Sequence, residues 1–189
     1  MLYLFGGWDG NRDLADFWAF DVTNNKWKLL SLDTENDGGP SPRSCHKMVF
    51  DPKTRHIYLL GRYLERGLRD RAQNIKSDFF KYDIDAHQWT MITDDTSTQG
   101  GPMLIFDHQM CIDSDMQTIY VFGGQSLYLS MADGPVSITE KMYSGLYEYH
   151  IPSNTWKKKR DDIGKIQSSL STLFFHSFHE IFFYSRWRK

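Results

Sequence analysis

LFGGWDGNRDLADFWAFDVTNNKW, residues 4–27, decides how the rest of this chain is read. An apolar strand runs into a glycine doublet, Gly6-Gly7. An aromatic triplet between acids follows, DFWAFD from Asp16, and then a lone Trp27. The same landmarks return in the same order. Glycine follows an apolar run at Gly61 and at Gly123-Gly124. The triplet recurs as DFFKYD from Asp78 and, more weakly, as GLYEYH from Gly145. The tryptophan recurs as Trp89 and Trp156. His46 and His108, each two residues before a Met, precede the later glycines at the same interval that separates Trp27 from Trp89. Landmarks in fixed order at a fixed period make this a repeat protein, which excludes most enzyme folds before any chemistry is weighed.

Residues 45–92 hold one whole repeat. CHKMVF at 45–50 and HIYLL at 56–60 read as strands joined by the turn DPKTR. DFFKYD at 78–83 is a third strand, and the turn IDAH leads to a fourth at QWTMI. Asp and Pro suit the turn positions and β-branched or aromatic residues the strands. A sheet of four short strands cannot bury both faces alone, so it must stack on its neighbours. Radial stacking gives the expected fold class: all-β, a partial β-propeller of four-stranded antiparallel blades, two complete and two incomplete. The blades expected are 1–30 (strands two to four), 45–92, 107–159, and 170–185 (strands one and two). Trp27 and Trp89 are expected to be buried between blades, covering the neighbouring sheet. With so few blades the chain reads as an internal fragment, a truncated isoform or an incomplete gene model, and its open blade edges invite self-association.

Bulk properties narrow the function classes. A net charge of −2 over 189 residues favours neither nucleic acid nor an anionic membrane. Two cysteines, Cys45 and Cys111, read as near-equivalent strand positions of successive repeats. They make no disulfide framework and point to a reducing compartment. The first residues lack a basic segment and a cleavage site. The most apolar stretch, Leu170–Tyr184, is interrupted by His176, His179 and Glu180 and is too short and polar to span a bilayer.

In an antiparallel meander successive connections emerge on alternate faces. The short turns at 51–55, 84–87, 114–117 and 150–154 share one face. The long connections at 7–15, 31–43, 61–77, 93–106 and 124–143 share the other. Binding function is expected on that long-loop face. Its most distinctive element is GRYLERGLRDRAQNIK at 61–76, with Arg62, Arg66, Arg69, Arg71 and Lys76 against Glu65 and Asp70. Arginine forks match carboxylates. Two readings of this loop stand side by side: recognition of an acidic partner, or internal pairing with the acids of 33–37 and 94–95. Catalytic, cofactor and metal sites are not expected. No GxSxG, HExxH, P-loop or CxxC occurs, and the repeated His46 and His108 are better explained by structural hydrogen bonding than by ligation.

The strands ending in glycine, the aromatic triplet and the tryptophan resemble the kelch repeat. The longer strings LFGGWDGNRDLADFWAFD, PSPRSCHKM, IYLLGRYL, KSDFFKYDID and GGPMLIFDHQMCIDSDMQTIYVFGG are similar to the muskelin family of kelch proteins, from residue 1 to about 184. That resemblance implies a non-catalytic protein-interaction propeller of a scaffold or substrate-receptor subunit in the CTLH ubiquitin ligase complex. Its partners would be subunits or substrates of that complex. Its location would be the cytoplasm, with the nucleus as a second site. A generic kelch adaptor, cytoskeletal or signalling, is the alternative, and a kelch-type oxidase-like enzyme is the alternative of another class.

Overall fold

Alternating apolar residues and a repeated turn build each sheet. In the computed structural model, which describes residues 1–69, 71–130, 137–142 and 145–160, β1 (Leu2–Trp8), β2 (Asp13–Asp21) and β3 (Lys26–Ser31) form a three-stranded antiparallel sheet, blade I. Next, β4 (Lys47–Asp51), β5 (His56–Leu60), β6 (Phe79–Asp83) and β7 (Gln88–Thr93) form the four-stranded blade II. After β8 (Leu104–Phe106) come β9 (Gln109–Asp113) and β10 (Thr118–Phe122), then the hairpin of β11 (Gln125–Ser130) and β12 (Ser137–Met142). The strands β13 (Leu146–His150) and β14 (Thr155–Arg160) follow, and blade III is β9, β10, β13 and β14. No α-helix occurs among the described residues. The strand pair expected at 170–185 lies outside them.

Among the described residues the short-turn face is one motif used five times. Asp21, Asp51, Asp83, Asp113 and His150 each open a turn. Four residues on, Asn25, Arg55, His87, Gln117 and Asn154 close it with φ of 53, 56, 54, 50 and 51°. Each opening aspartate accepts backbone N–H bonds from the turn it starts, as Asp83 does from Asp85 and Ala86 at 2.9 Å each. Such a turn satisfies its own polar groups locally. Blades II and III are also latched on this face. The Gln117 side-chain amide donates to Asp51 at 2.9 Å, and Lys53 reaches Asp115 at 2.5 Å.

Between blades the core is aromatic and repeats itself. Phe17 of blade I meets Tyr82 and Trp89 of blade II, with ring centroids 4.8 and 5.3 Å apart. One blade on, Phe79 meets Tyr149 and Trp156 at 4.9 and 5.4 Å. Ile57, Leu59 and Ile119, Val121 fill the same positions behind the rings and are fully buried. Trp89 and Trp156 therefore each cover the blade before their own. Trp89 and Trp156 are 6% and 7% exposed, as the repeat predicts, but Trp27 is 56% exposed. The reason is directional: the face Trp27 would cover belongs to a blade preceding blade I, and no described residue packs there as Phe17 packs on Trp89.

Two further expectations change. Cys45 and Cys111 are not equivalent: Cys45 sits before β4 with φ 59°, and its counterpart is Asp107 with φ 54°, whereas Cys111 lies within β9. The span 124–143 is also more than a connection. The β10–β13 hairpin continues through Gly123-Gly124, both at positive φ, and reappears as the β11–β12 ladder. There β8 adds to β11, pairing Leu104 with Leu127, and a separate three-stranded sheet results.

Candidate protein-interaction face

The long-connection face is a built layer. Leu64, Leu104, Phe106 and Leu127 form its own buried apolar cluster, with Tyr63, Ile75 and Ile138 packed on it. The cluster joins the 61–77 connection to the sheet of β8, β11 and β12. Within that connection two short 3-10 turns, Arg66–Leu68 and Ala72–Ile75, replace open loop. They are tied by Asn74, whose amide donates to the Leu68 carbonyl at 2.8 Å, and by Arg62, which donates to the Asn74 carbonyl at 3.1 Å.

A second device fixes the connections between blades. Thr34 donates its hydroxyl to the Pro40 carbonyl, and Thr96 does the same to Pro102, in two loops of identical spacing. Both threonines are fully buried. The glycine before each proline lies flat against a tryptophan: a Cβ on Gly39 would come within 2.7 Å of Trp89, and one on Gly101 within 2.8 Å of Trp156. The inter-blade loops are thus set by the same ring that seals the blade junction. The Thr-x4-Gly-Pro spacing is visible in the sequence once the two repeats are aligned, yet the landmark reading passed over it.

The basic residues of 61–76 do not act together. Arg69 is turned inward. Its Nε donates to the Leu64 carbonyl at 2.8 Å, its Nη1 pairs with Glu140 at 2.6 Å, and its guanidinium lies over Tyr63 and Phe106 at 5.3 and 5.9 Å. Lys76 pairs with Asp94 at 2.6 Å on the surface, one of the internal pairings the sequence allowed. Arg66 and Arg71 are exposed, with Leu68 beside Arg66 also exposed. Arg62 is half-buried.

Arg43 and Asp78 escaped the sequence reading. Arg43 is completely buried. It grips Asp78 with both terminal nitrogens, Nη1 to Oδ1 at 2.7 Å and Nη2 to Oδ2 at 2.8 Å. Its Nε donates to the Ser41 carbonyl, Nη2 to the Ser41 hydroxyl, and the guanidinium stacks over Phe80 at 5.6 Å. Burial pushes the Asp78 carboxyl up, but Arg43, by charge and hydrogen bonds, and then Arg62 hold it below the usual carboxylate range. The available signal was a break in the repeat: Arg43 and Asp78 align with Ile105 and Gly145 of the next one.

At the start of the inner strands, His46 and His108 are 4% and 0% exposed, not on the strands but one residue before each. Burial pushes both imidazoles down to about 3, so both are neutral. Hydrogen bonding, expected for both, accounts for His46 alone, whose ring bonds to the Phe5 backbone. Neither ring nitrogen of His108 has a partner, nor has Nδ1 of His46. They are packing groups: His46 meets the Phe5 ring at 5.1 Å, and His108 lies against Gly61 and Gly124. No set of three potential metal ligands gathers among the described residues.

Comparison with known proteins fits this architecture. The model of the Attractin/LZTR1 β-propeller family matches residues 1–181. Among curated proteins, Mei4-dependent protein 6 of Schizosaccharomyces pombe is 35% identical over 159 residues, 83% of this chain and 21% of that protein. An N-(sulfonatooxy)prop-2-enimidothioate sulfolyase of Thlaspi arvense is 29% identical over 49% of this chain and 26% of its own length. Multiple epidermal growth factor-like domains protein 8 of Rattus norvegicus is 24% identical over 71% of this chain and 4% of its own. The chain spans about a quarter or less of each of these relatives.

Proposed function

This chain belongs to the Attractin/LZTR1 β-propeller family, a family of protein-interaction domains, and on that premise we propose that it is a non-catalytic interaction module whose partner docks on the long-connection face. One observation carries the choice of face. The short turns bond within themselves and to neighbouring turns, whereas the opposite face carries an additional sheet, two 3-10 turns and a private apolar cluster. A scaffold that builds a second layer on one face only has that face to offer a partner.

The finer reading is a muskelin-like scaffold or substrate-receptor propeller of a CTLH-type ubiquitin ligase, acting in the cytoplasm and nucleus. The loop strings PSPRSCHKM and IYLLGRYL support it, because they match in residues that the blade repeat does not require. One relative is named a sulfolyase, which is said of that protein; here the two inner histidines are neutral packing groups with no described ligand set around them.

The test is affinity purification of the intact tagged protein from its own cells with quantitative mass spectrometry. Ubiquitin-ligase subunits are expected to co-purify. Arg66→Glu with Leu68→Glu should deplete partners, while Lys53→Glu with Met116→Glu on the short turns should not. The reverse pattern overturns the choice of face. Robust capture of cytoskeletal or signalling proteins without ligase subunits assigns a generic adaptor instead.

A further inference from the structure

The 61–77 connection joins Leu60 to Phe79, two residues already paired across β5 and β6. It is far longer than that distance needs, so part of it can be drawn out without disturbing either strand. Its tip is the part least held. Glu65, Arg66, Gly67 and Leu68 are all exposed, and neither 3-10 turn contains a buried residue. The backbone bonds of the tip run from the Leu68 N–H to the Glu65 carbonyl at 2.9 Å and from the Arg69 N–H to the Arg66 carbonyl at 3.2 Å. Opening residues 65–68 therefore gives up exposed hydrogen bonds and little apolar burial, the condition for cheap local opening. Arg66 makes no hydrogen bond or ion pair among the described residues. The space beside Gly67 is open, since a Cβ there would meet nothing within 4 Å.

Exposure of a basic side chain does not by itself single out Arg66. Arg12, Lys53 and Arg55 are exposed as well. Arg12 abuts β2, and its N–H is held by Asp9 at 2.9 Å. Lys53 and Arg55 sit in the tight turn between β4 and β5 that Asp51 opens. Drawing several residues of those turns into a protease cleft means unzipping a blade; drawing out the tip does not. Within the connection, Arg69 and Lys76 are committed to Glu140 and Asp94, and Arg71 already has an interaction.

We propose that the Arg66–Gly67 peptide bond is a cleavage site for an endopeptidase that takes Arg at the cut, and that this cut takes the docking face apart while the blades stay closed. Water is the co-reactant: the amide C–N bond breaks, a carboxylate forms on Arg66, and the freed amine of Gly67 takes up a proton. The two sides remain tied across the cut. Arg62 donates to the Asn74 carbonyl at 3.1 Å, Arg69 donates to the Leu64 carbonyl at 2.8 Å, and the β5–β6 ladder is untouched. Arg66 and Leu68, however, no longer share one backbone, and a partner that reads them together loses a preorganised tip. That consequence rests on the long-connection face being the docking face; the cut itself does not.

The experiment is timed digestion of the intact chain with a low ratio of trypsin, the cuts being read by mass spectrometry. Within residues 1–160 the first cut should follow Arg66, ahead of Arg12, Lys53 and Arg55. The fragments should co-elute on gel filtration and melt close to the uncut chain. Arg69→Gln, which releases the anchor beside the tip, should speed the cut about tenfold, because cleavage follows the population of the opened tip. Arg66→Gln should leave residues 1–160 whole about tenfold longer without a change in melting. A first cut after Arg71 or in a strand-joining turn, no acceleration by Arg69→Gln, or fragments that separate overturns the proposal. A nicked chain that captures every partner of the uncut chain overturns the loss of docking and leaves the cut. If Arg66→Glu with Leu68→Glu also leaves capture unchanged, the docking face itself has failed.

Discussion

His46 and His108 should make this propeller sensitive to mild acid through folding rather than through binding. Both imidazoles are fully buried at adjacent blade entrances, and both are held neutral down to about 3 against an ordinary value of 6.5. A base with a lowered folded-state pKa contributes stability that is present above 6.5 and is lost as pH falls toward 3, because the unfolded chain takes up protons that the native chain refuses. Between about pH 8 and pH 5 each histidine should cost about 2 kcal/mol, and the two together about 4 kcal/mol. Carboxylates barely contribute in that window, since Asp78 and Asp51 are held below the usual carboxylate range. The assay is urea unfolding of the wild type and of His108→Leu at several pH values in that window. His108→Leu removes a side chain whose two nitrogens have no partner, so the variant should fold at neutral pH and show about half the wild-type pH slope. A wild-type stability that is flat from pH 8 to pH 5, or a variant with the full slope, would refute the reasoning and mean that water reaches these rings.

Two further predictions concern the blade junctions. Trp89→Ala should destabilise by about 3–5 kcal/mol, because it empties a slot walled by Phe5, Phe17 and Gly39. Trp27→Ala should cost well under half of that, since more than half of Trp27 is in solvent; equal losses in thermal melts would show that the tryptophans do not cover the preceding blade. Arg43→Ile alone should cost about 3–5 kcal/mol by stranding Asp78. Adding Asp78→Gly, which copies the Ile105 and Gly145 of the next repeat, should return about 1 kcal/mol or more of it in a double-mutant cycle. Strict additivity would mean that the pair is not coupled. The Asp78 carboxyl is lowered, so its contribution is present at neutral pH and disappears as pH falls through the acid range below ordinary aspartate values.

The order of landmarks in the sequence was enough to give the all-β class and the stacking of small antiparallel sheets, because each landmark is a local necessity repeated. A strand needs its β-formers, the turns need an acid and a left-handed residue four on, and the junction needs a ring of tryptophan size. Loop polarity was legible too, since loop length alternates along the chain. The direction in which each tryptophan points was not legible, and so Trp27 was expected inside. Sequence gives the ring and its period, but only the blade packing says which neighbour it covers. The sheet of β8, β11 and β12 was also hidden, because it occurs once and pairs segments some twenty residues apart that no period marks. The same holds for the charges. Arg62, Arg66, Arg69, Arg71 and Lys76 form one basic run in the chain, yet folding sends Arg69 into an aromatic pocket and Lys76 to Asp94, and sets Arg62 beside Arg43 and Asp78. Periodic features were settled by local chemistry that the sequence repeats; unique contacts were settled by which side chains the closed sheets brought within hydrogen-bond reach.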